Sequence, residues 1–451
     1  MNTPVTDTSG FQPRSAWTLA LMLTGLATIN FLDKVVFGMV AVPLTAEMHL
    51  SPTQFGFVAG SFFWLFSTST IVIGFLSNRV PTRILLLAMS ICWAVVQIPQ
   101  ALATSLVVFL VCRVILGAAE GPSFPVSVHA LYKWFPNHKR GLPVAIVNQG
   151  AALGLLLAGL LIPLITHKWG WRMNFFILSA VGAVWTVLWL YFGREGTIGT
   201  QQQTPASRHL DDKPSAQPTR LPYRKILTDR SVLSTFLLGF VAYWMLGQNL
   251  AWLPTYLEKG LGFANIDAGR WFAAVIAVAS PVNIGLSWFS QWLLGRGATT
   301  QQARARLVCL TVFIGGAMLV MLPVVQTGAV GKAALLAFAC ALPTLCFTLA
   351  PALLAEVVPD SQRGAIVGIH TAVASLGAAI APTVMGRIVQ ANGATVHAYE
   401  VGFATGAVLL MAAALIGLRF LNPVRSHQML LGQPVSDVDW TITPTQNVPE
   451  R

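Results

Sequence analysis

A chain of 451 residues that is 55% hydrophobic and only 10% charged, with a mean hydropathy of +0.66, is not a soluble globular protein, because soluble domains carry roughly a quarter charged residues. The formal net charge of +12 does not make it a nucleic-acid binder, since the basic residues sit in short segments between apolar runs, as the positive-inside rule requires. Its five cysteines (Cys92, Cys112, Cys309, Cys340, Cys346) all fall in apolar runs and form no CxxC pair, which argues against a disulfide framework, a metal site and a metal cofactor.

The first 14 residues are mostly polar, and the apolar run that follows is too long for a cleavable signal. Six spans are then predicted near 15–41, 53–77, 84–103, 105–132, 141–166 and 172–193. Each is long enough to cross ~30 Å of hydrocarbon at ~1.5 Å per residue. Residues 194–230 contain Gln201-Gln202-Gln203, several Pro and Ser, and seven Lys/Arg against four acids, so they read as a cytoplasmic linker. A second set of spans lies near 231–256, 268–294, 305–326, 330–355, 364–389 and 397–420. The polar stretch from Asn422, within the tail 421–451, is expected to be unstructured.

The expected fold is therefore an all-α membrane protein of twelve transmembrane helices. A six-helix bundle at 15–193 and another at 231–420 are flanked by cytoplasmic ends at 1–14 and 421–451. If basic residues at span ends are counted with the loop they adjoin, the inner segments hold 20 of the 28 Lys and Arg, which puts both termini in the cytoplasm. No N-x-[ST] sequon occurs and the first outer loop is short, which suits a bacterial inner membrane.

The halves echo each other. Pro136-x3-Arg140-Gly141 before span five recurs as Pro359-x3-Arg363-Gly364 before span eleven, and at the same offset Ala151, Leu153 and Gly154 recur as Ala374, Leu376 and Gly377. Ser77-Asn78-Arg79 after span two is echoed by Ser290-Gln291-Trp292 after span eight. Parallel repeats of this kind place a substrate site midway between the halves.

Of sixteen acids, only Asp33 and Glu120 lie well inside a predicted span. An ionisable group in hydrocarbon costs at least ~2.5–3.5 kcal/mol and marks function by default. Arg113 lies at the depth of Asp33 on span four. Glu120 follows seven residues later on the same face, and Lys34 adjoins Asp33. Burial disfavours a lone carboxylate's charge and a neighbouring cation favours it. Two acids and two bases near the midplane therefore point to a proton-coupled anion carrier. The alternative is a pair of structural ion pairs, Asp33 with Arg113 and Glu120 with Lys34, in a uniporter, an exporter or a non-transporting sensor. Gly121-Pro122 and Pro125 predict a bend beside Glu120.

Asn30, Asn148, Gln149, Gln248, Asn249, His370 and Thr371 are further polar residues in inner spans and candidate substrate contacts. Asn78, Arg79, Arg83, Arg140, Gln291 and Arg363 lie in inner loops, where they are candidates for a cytoplasmic gate. The chain has no HExxH, GxSxG or phosphate-binding glycine loop, so no enzyme is expected.

Asn30-Phe-Leu-Asp33-Lys34, Gly74-Phe-Leu-Ser-Asn78-Arg79-x3-Arg83, Arg113-x3-Gly117-x2-Glu120-Gly-Pro122-x2-Pro125, Trp134-Phe-Pro136-x3-Arg140 and Trp252-Leu-Pro-Thr-Tyr-Leu257 carry a resemblance. Over residues 15–420 the chain resembles the major facilitator superfamily. More narrowly it resembles the anion:cation symporter family of bacterial sugar-acid, tartrate and phthalate carriers. The resemblance implies Asp33 and Glu120 as proton sites, Lys34 and Arg113 at the anion, and a monomer in the bilayer. The chain departs from that pattern with amides at Asn78 and Gln291 where an aspartate is usual, Phe31 for a tyrosine, and Lys34 for an arginine. A sugar acid, a dicarboxylate and an aromatic acid all fit two cations.

Overall fold

The computed structural model describes residues 12–77, 79–136, 139–196 and 221–431, and all its regular elements are helical. Among the described residues, twelve helices are long and apolar enough to cross a membrane. The first half holds α1 (Pro13–Met39), α2 (Pro52–Leu76), α3 (Thr82–Leu102), α4 (Leu106–Tyr132), α5 (Gly141–Trp169) and α6 (Trp171–Phe192). The second holds α7 (Arg230–Gly260), α8 (Asn265–Gly295), α9 (Gln301–Val320), α10 (Ala329–Val357), α11 (Ser361–Ala391) and α12 (Val396–Phe420). Helices are the outcome because each satisfies its backbone within one segment where no water can do so. Side chains such as Val95, Val187, Ile284 and Leu415 point outward and are exposed, as a lipid-facing surface requires.

Several spans are broken, and the breaks fit one another. In α2 a turn over 62–65 separates Pro52–Ser61 from Phe66–Leu76. In α4 the break follows Glu120 directly, at Gly121 and Pro122, before Ser123–Tyr132 resumes. The two breaks pack together. A Cβ on Gly117 would lie 1.7 Å from the Phe62 carbonyl oxygen, and one on Gly121 would lie 2.1 Å from that of Phe66. Only glycine lets the backbones approach this closely.

The halves meet along α1 with α7, α2 with α11, and α5 with α8. Their closest approaches fall in the part of each helix distal to the linker. Gly38 abuts the Leu250 carbonyl, Gly56 that of Pro382, Gly60 that of Ala379, Gly386 that of Pro52, and Gly159 that of Gly269. Phe37 stacks on Phe55 at 5.1 Å, and Phe55 meets the edge of Trp252 at 5.1 Å across the interface. Ser67 and Ser375 touch at 2.5 Å nearer mid-helix. Toward the linker, Leu142 of α5 and Phe75 of α2 are exposed. An added Cβ on Gly74, Gly141, Gly364 or Gly368, near the linker-side ends, would meet nothing within 4 Å, so the halves are sealed at the ends distal to the linker and open at the linker-side ends.

The stretch from Asn422, read from its polarity as an unstructured tail, is a helix over Pro423–Leu431, here α13. The Ser426 hydroxyl donates to Asp229 Oδ2 at 2.9 Å, and the His427 ring lies 2.7 Å from the Glu356 carbonyl. Polarity misled because one face of α13 is anchored by hydrogen bonds to α7 and α10. The linker residues 197–220 and the tail beyond 431 lie outside the described residues.

A side chain at Gly56 has no room in this closed arrangement, because its Cβ would sit 2.1 Å from the Pro382 oxygen. Gly56→Val is expected to bias the protein toward opening on the sealed side. In a chain with its five cysteines replaced, maleimide labelling of a Ser61→Cys reporter should then rise about tenfold. Unchanged labelling of a folded variant would show that the contact yields without separating the halves.

Candidate functional site

On α1, Asn30, Asp33, Lys34 and Phe37 follow the i, i+3, i+4, i+7 spacing that gathers side chains into one stripe. On α4, Arg113, Gly117 and Glu120 do the same at i, i+4, i+7. The stripes face each other, and the missing side chain of Gly117 leaves room for the α2 turn. All four charged residues are buried: Asp33 is 1% exposed, Lys34 8%, Arg113 3% and Glu120 1%.

The Lys34 ammonium donates to Asn30 Oδ1 and lies 3.8 Å from Glu120 Oε2. It also sits over the Phe31 ring at 4.2 Å and the Phe66 ring at 5.3 Å. The Arg113 guanidinium lies over Phe62 at 4.7 Å and Phe37 at 5.1 Å. Its Nε and Nη1 have no hydrogen-bond acceptor, and neither does Asp33 Oδ1 have a donor. Asp33 stands among Gln97 of α3, Arg113 and Lys34. Of the two structural pairs that the sequence allowed, Lys34 with Glu120 is formed, and no ion pair joins Asp33 to Arg113 among the described residues. A narrow cleft between the halves reaches Lys34 and Arg113 from one side and Gly247, Leu250 and Ala251 from the other.

The other candidate contacts do not converge here. Gln248 is turned into its own half, where its amide donates to the Gly402 carbonyl at 2.9 Å and contacts Met385. Asn249 faces Cys340 at 3.7 Å. His370 is wedged between α11 and α7, where Gly239 makes space for its ring and Phe236 meets it edge-on at 5.6 Å. The Thr371 hydroxyl bonds its own helix at Val367. Asn148 and Gln149 are exposed. Gly150 packs against Thr24 and Gly154 against Thr28, so these amides lie ~15 Å along the axis from Lys34, toward the open side. Amide and imidazole groups in a span read alike in sequence, and only the helix rotation says which partner each one meets.

Gln97 and Gln100, both wholly buried on α3, were not singled out from the sequence. Two glutamines three residues apart in an apolar run were the available signal. A second buried cluster also went unread. Glu400 of α12 accepts from Lys332 of α10 at 2.5 Å and from the Tyr256 hydroxyl of α7 at 3.0 Å. Glu400 stands at the fourth residue of the span predicted at 397–420, and so did not count as an acid well inside a span.

Two of the loop candidates, Arg140 and Arg363, fasten helix ends within their own half. Arg140 donates to the carbonyls of Phe135 at 2.9 Å and Tyr132 at 3.0 Å, closing the end of α4. Arg363 donates to the Ala355 carbonyl at 2.8 Å, closing α10. Tyr132 and Ala355 stand at the same offset as the two arginines, so the echo read in the sequence is a repeated C-terminal cap. Arg79 and Gln291 are exposed, and Asn78 lies outside the described residues.

Arg83 belongs to a larger fastening around Glu195, just past α6. That carboxylate accepts from the Thr82 amide at 3.2 Å, the Thr82 hydroxyl at 3.1 Å, the Arg83 amide at 3.0 Å and the Lys133 ammonium. Burial alone would push the Glu195 carboxyl up, but these donors hold it below its ordinary value. Glu195 thus ties the start of α3 to the ends of α4 and α6.

A family model described as Major Facilitator Superfamily matches residues 23–345. The hexuronate transporter of Bacillus subtilis is 25% identical over 412 residues, covering 90% of this chain and 94% of its own. The probable sulfoacetate transporter SauU of Cupriavidus necator is 26% identical, covering 88% and 91%. The D-galactonate transporter of Escherichia coli is 24% identical, covering 90% and 94%. Among solved structures, a bacterial homolog of the human lysosomal transporter Spinster, inward-facing and occupied, superposes with a TM-score of 0.74 at 19% identity, over 95% of this chain and 100% of its own. A D-xylose-proton symporter superposes at 0.72 and 17% identity, over 91% and 99%.

Two measurements test these clusters. A carboxylate held below its ordinary value stabilises the fold fully above that value and loses the effect as pH falls through the lowered one. Glu195→Gln should therefore cost about 1–2 kcal/mol at neutral pH and flatten the fall of the unfolding midpoint below about pH 4.5. For the second cluster, Glu400→Gln and Lys332→Met are each expected to destabilise by up to about 3 kcal/mol, and the double variant by less than their sum. Strict additivity in thermal unfolding would show that the two side chains are not coupled.

Proposed function

The chain belongs to the Major Facilitator Superfamily and is a membrane-embedded transporter, and we propose that it carries a small organic anion together with protons by alternating access. The observation that carries this reading is the charge balance at α1 and α4. Asp33 and Glu120 offset Lys34 and Arg113, all four buried in one half. A site that is neutral when empty becomes negative when a monoanion enters, and net charge in hydrocarbon is costly. A proton entering with the anion restores neutrality.

The geometry supports a route. The Arg113 guanidinium makes no hydrogen bond among the described residues, and its buried Nε and Nη1 stand without acceptors, so an edge of the group is free to meet a carboxylate. An anion seated there also draws on the Lys34 ammonium, and so competes with Glu120 for it at 3.8 Å. Glu120, released from its cation, takes the proton. Asp33, free of an ion pair, is the second acid, available when the cargo carries two charges. The relatives named for hexuronate, galactonate and sulfoacetate support an organic anion as cargo. With the termini in the cytoplasm of a bacterial inner membrane, the arrangement described is open inward and sealed outward.

Uptake of labelled organic acids into proteoliposomes under an imposed proton gradient tests the reading. Glu120→Gln is expected to keep anion exchange but to lose gradient-driven accumulation by at least about tenfold. Uptake indifferent to the gradient, with Glu120→Gln unchanged, would leave the buried acids a structural role only.

A further inference from the structure

We infer that the cargo is a monocarboxylate with an aromatic or otherwise apolar body, and not a polyhydroxylated acid or a dicarboxylate. This rests on the anion-transport reading above and narrows it. Two features at the cations carry it: how many of their donors are free, and what surrounds them.

The free donors belong to one guanidinium. Arg113 Nε and Nη1 have no partner, whereas Lys34 is already engaged by Asn30 and Glu120. One planar fork binds one carboxylate bidentately. A second carboxylate on the same molecule would find no equivalent free cation among the described residues lining the cleft.

Apart from Asn30, Gln97 and the two acids of their own half, the cations are surrounded by apolar side chains. Phe31 and Phe66 flank the ammonium and Phe37 and Phe62 flank the guanidinium, so each cation is framed by two phenyl rings. Across the cleft the other half contributes Leu250, Ala251 and a glycine. The candidate polar side chains of that half, Gln248, Asn249 and His370, face their own half and not the cleft. The Gln248 amide is spent on Gly402, Asn249 faces Cys340, and the His370 ring is packed against α7. Ser67 and Ser375, the hydroxyl pair that bridges the halves, bond to each other.

A polyhydroxylated body moving from water to such walls leaves its hydroxyls without partners, and unpaired polar groups in a binding site discriminate strongly. An aromatic or branched apolar body instead gains burial, and a flat ring gains edge-to-face contact with phenylalanines.

The test compares phenylacetate, gluconate and succinate, each by thermal stabilisation of purified protein and by competition in proteoliposome exchange. Phenylacetate is expected to half-saturate at a concentration at least about tenfold below gluconate and succinate. Gluconate or succinate binding as well as phenylacetate would overturn the inference. Phe31→Tyr with Phe66→Tyr, checked for an unchanged unliganded midpoint, should shrink the gap with gluconate by about fivefold, since the new hydroxyls offer partners. An undiminished gap would remove the rings as its cause. Arg113→Gln separates the two levels of the reading. If gluconate binds best and depends on Arg113, anion transport stands and only the apolar class falls. If no acid binds in an Arg113-dependent way, the anion reading itself falls.

Discussion

Everything specific about this membrane protein follows from the cost of holding four charged side chains in hydrocarbon. None of them is tolerable alone, so α1 and α4 must present them in facing stripes. The spacing of Asn30, Asp33, Lys34 and Phe37 meets that demand on one helix, and that of Arg113, Gly117 and Glu120 meets it on the other. The α2 turn then needs the glycines at 117 and 121 to approach closely enough to seat Phe62 and Phe66 over the cations. The phenyl rings satisfy part of the cations' field without competing as acceptors, which leaves the guanidinium Nε and Nη1 without partners.

The two halves share a plan but not a chemistry. Repeated arginine caps close α4 and α10 at matching positions, and the helix order repeats from α1–α6 to α7–α12. Yet the buried charges opposite each other are not repeated. The second half answers the cations with Gly247, Leu250 and Ala251, and keeps its own buried acid, Glu400, tied to Lys332 and Tyr256 away from the cleft. One half holds the four buried charges near the cleft, and the other faces them with an apolar surface.

Much of this was legible in the sequence. Hydropathy marks all twelve spans because each must be apolar along ~20 residues, and Asp33, Lys34, Arg113 and Glu120 stand out as charges inside such runs. The repeat at Arg140 and Arg363 was visible as well, but its meaning was not, since a loop arginine looks the same whether it faces a partner half or its own helix end. The neutral polar residues were least legible. Gln248 and His370 were read as wall residues and turn out to face their own half, while Gln97 beside Asp33 was passed over. Which way an amide points depends on a rotation of the helix that hydropathy does not encode. The α13 helix was missed for a related reason, because its stability comes from contacts with Asp229, Ser231 and Glu356 far away in the chain.

The seal between the halves is made of glycines against carbonyls and of stacked rings. All six ion pairs found among the described residues lie within a single half. The charges inside the spans therefore travel as neutral sets when one half turns against the other. Rearrangement of the empty protein moves no net charge through the membrane field, which would otherwise add about 2.3 kcal/mol per charge per 100 mV. Dissolved salt has no bridge at this seam to screen. On the carrier reading proposed above, the return of the unloaded protein is expected to depend on packing more than on the membrane potential.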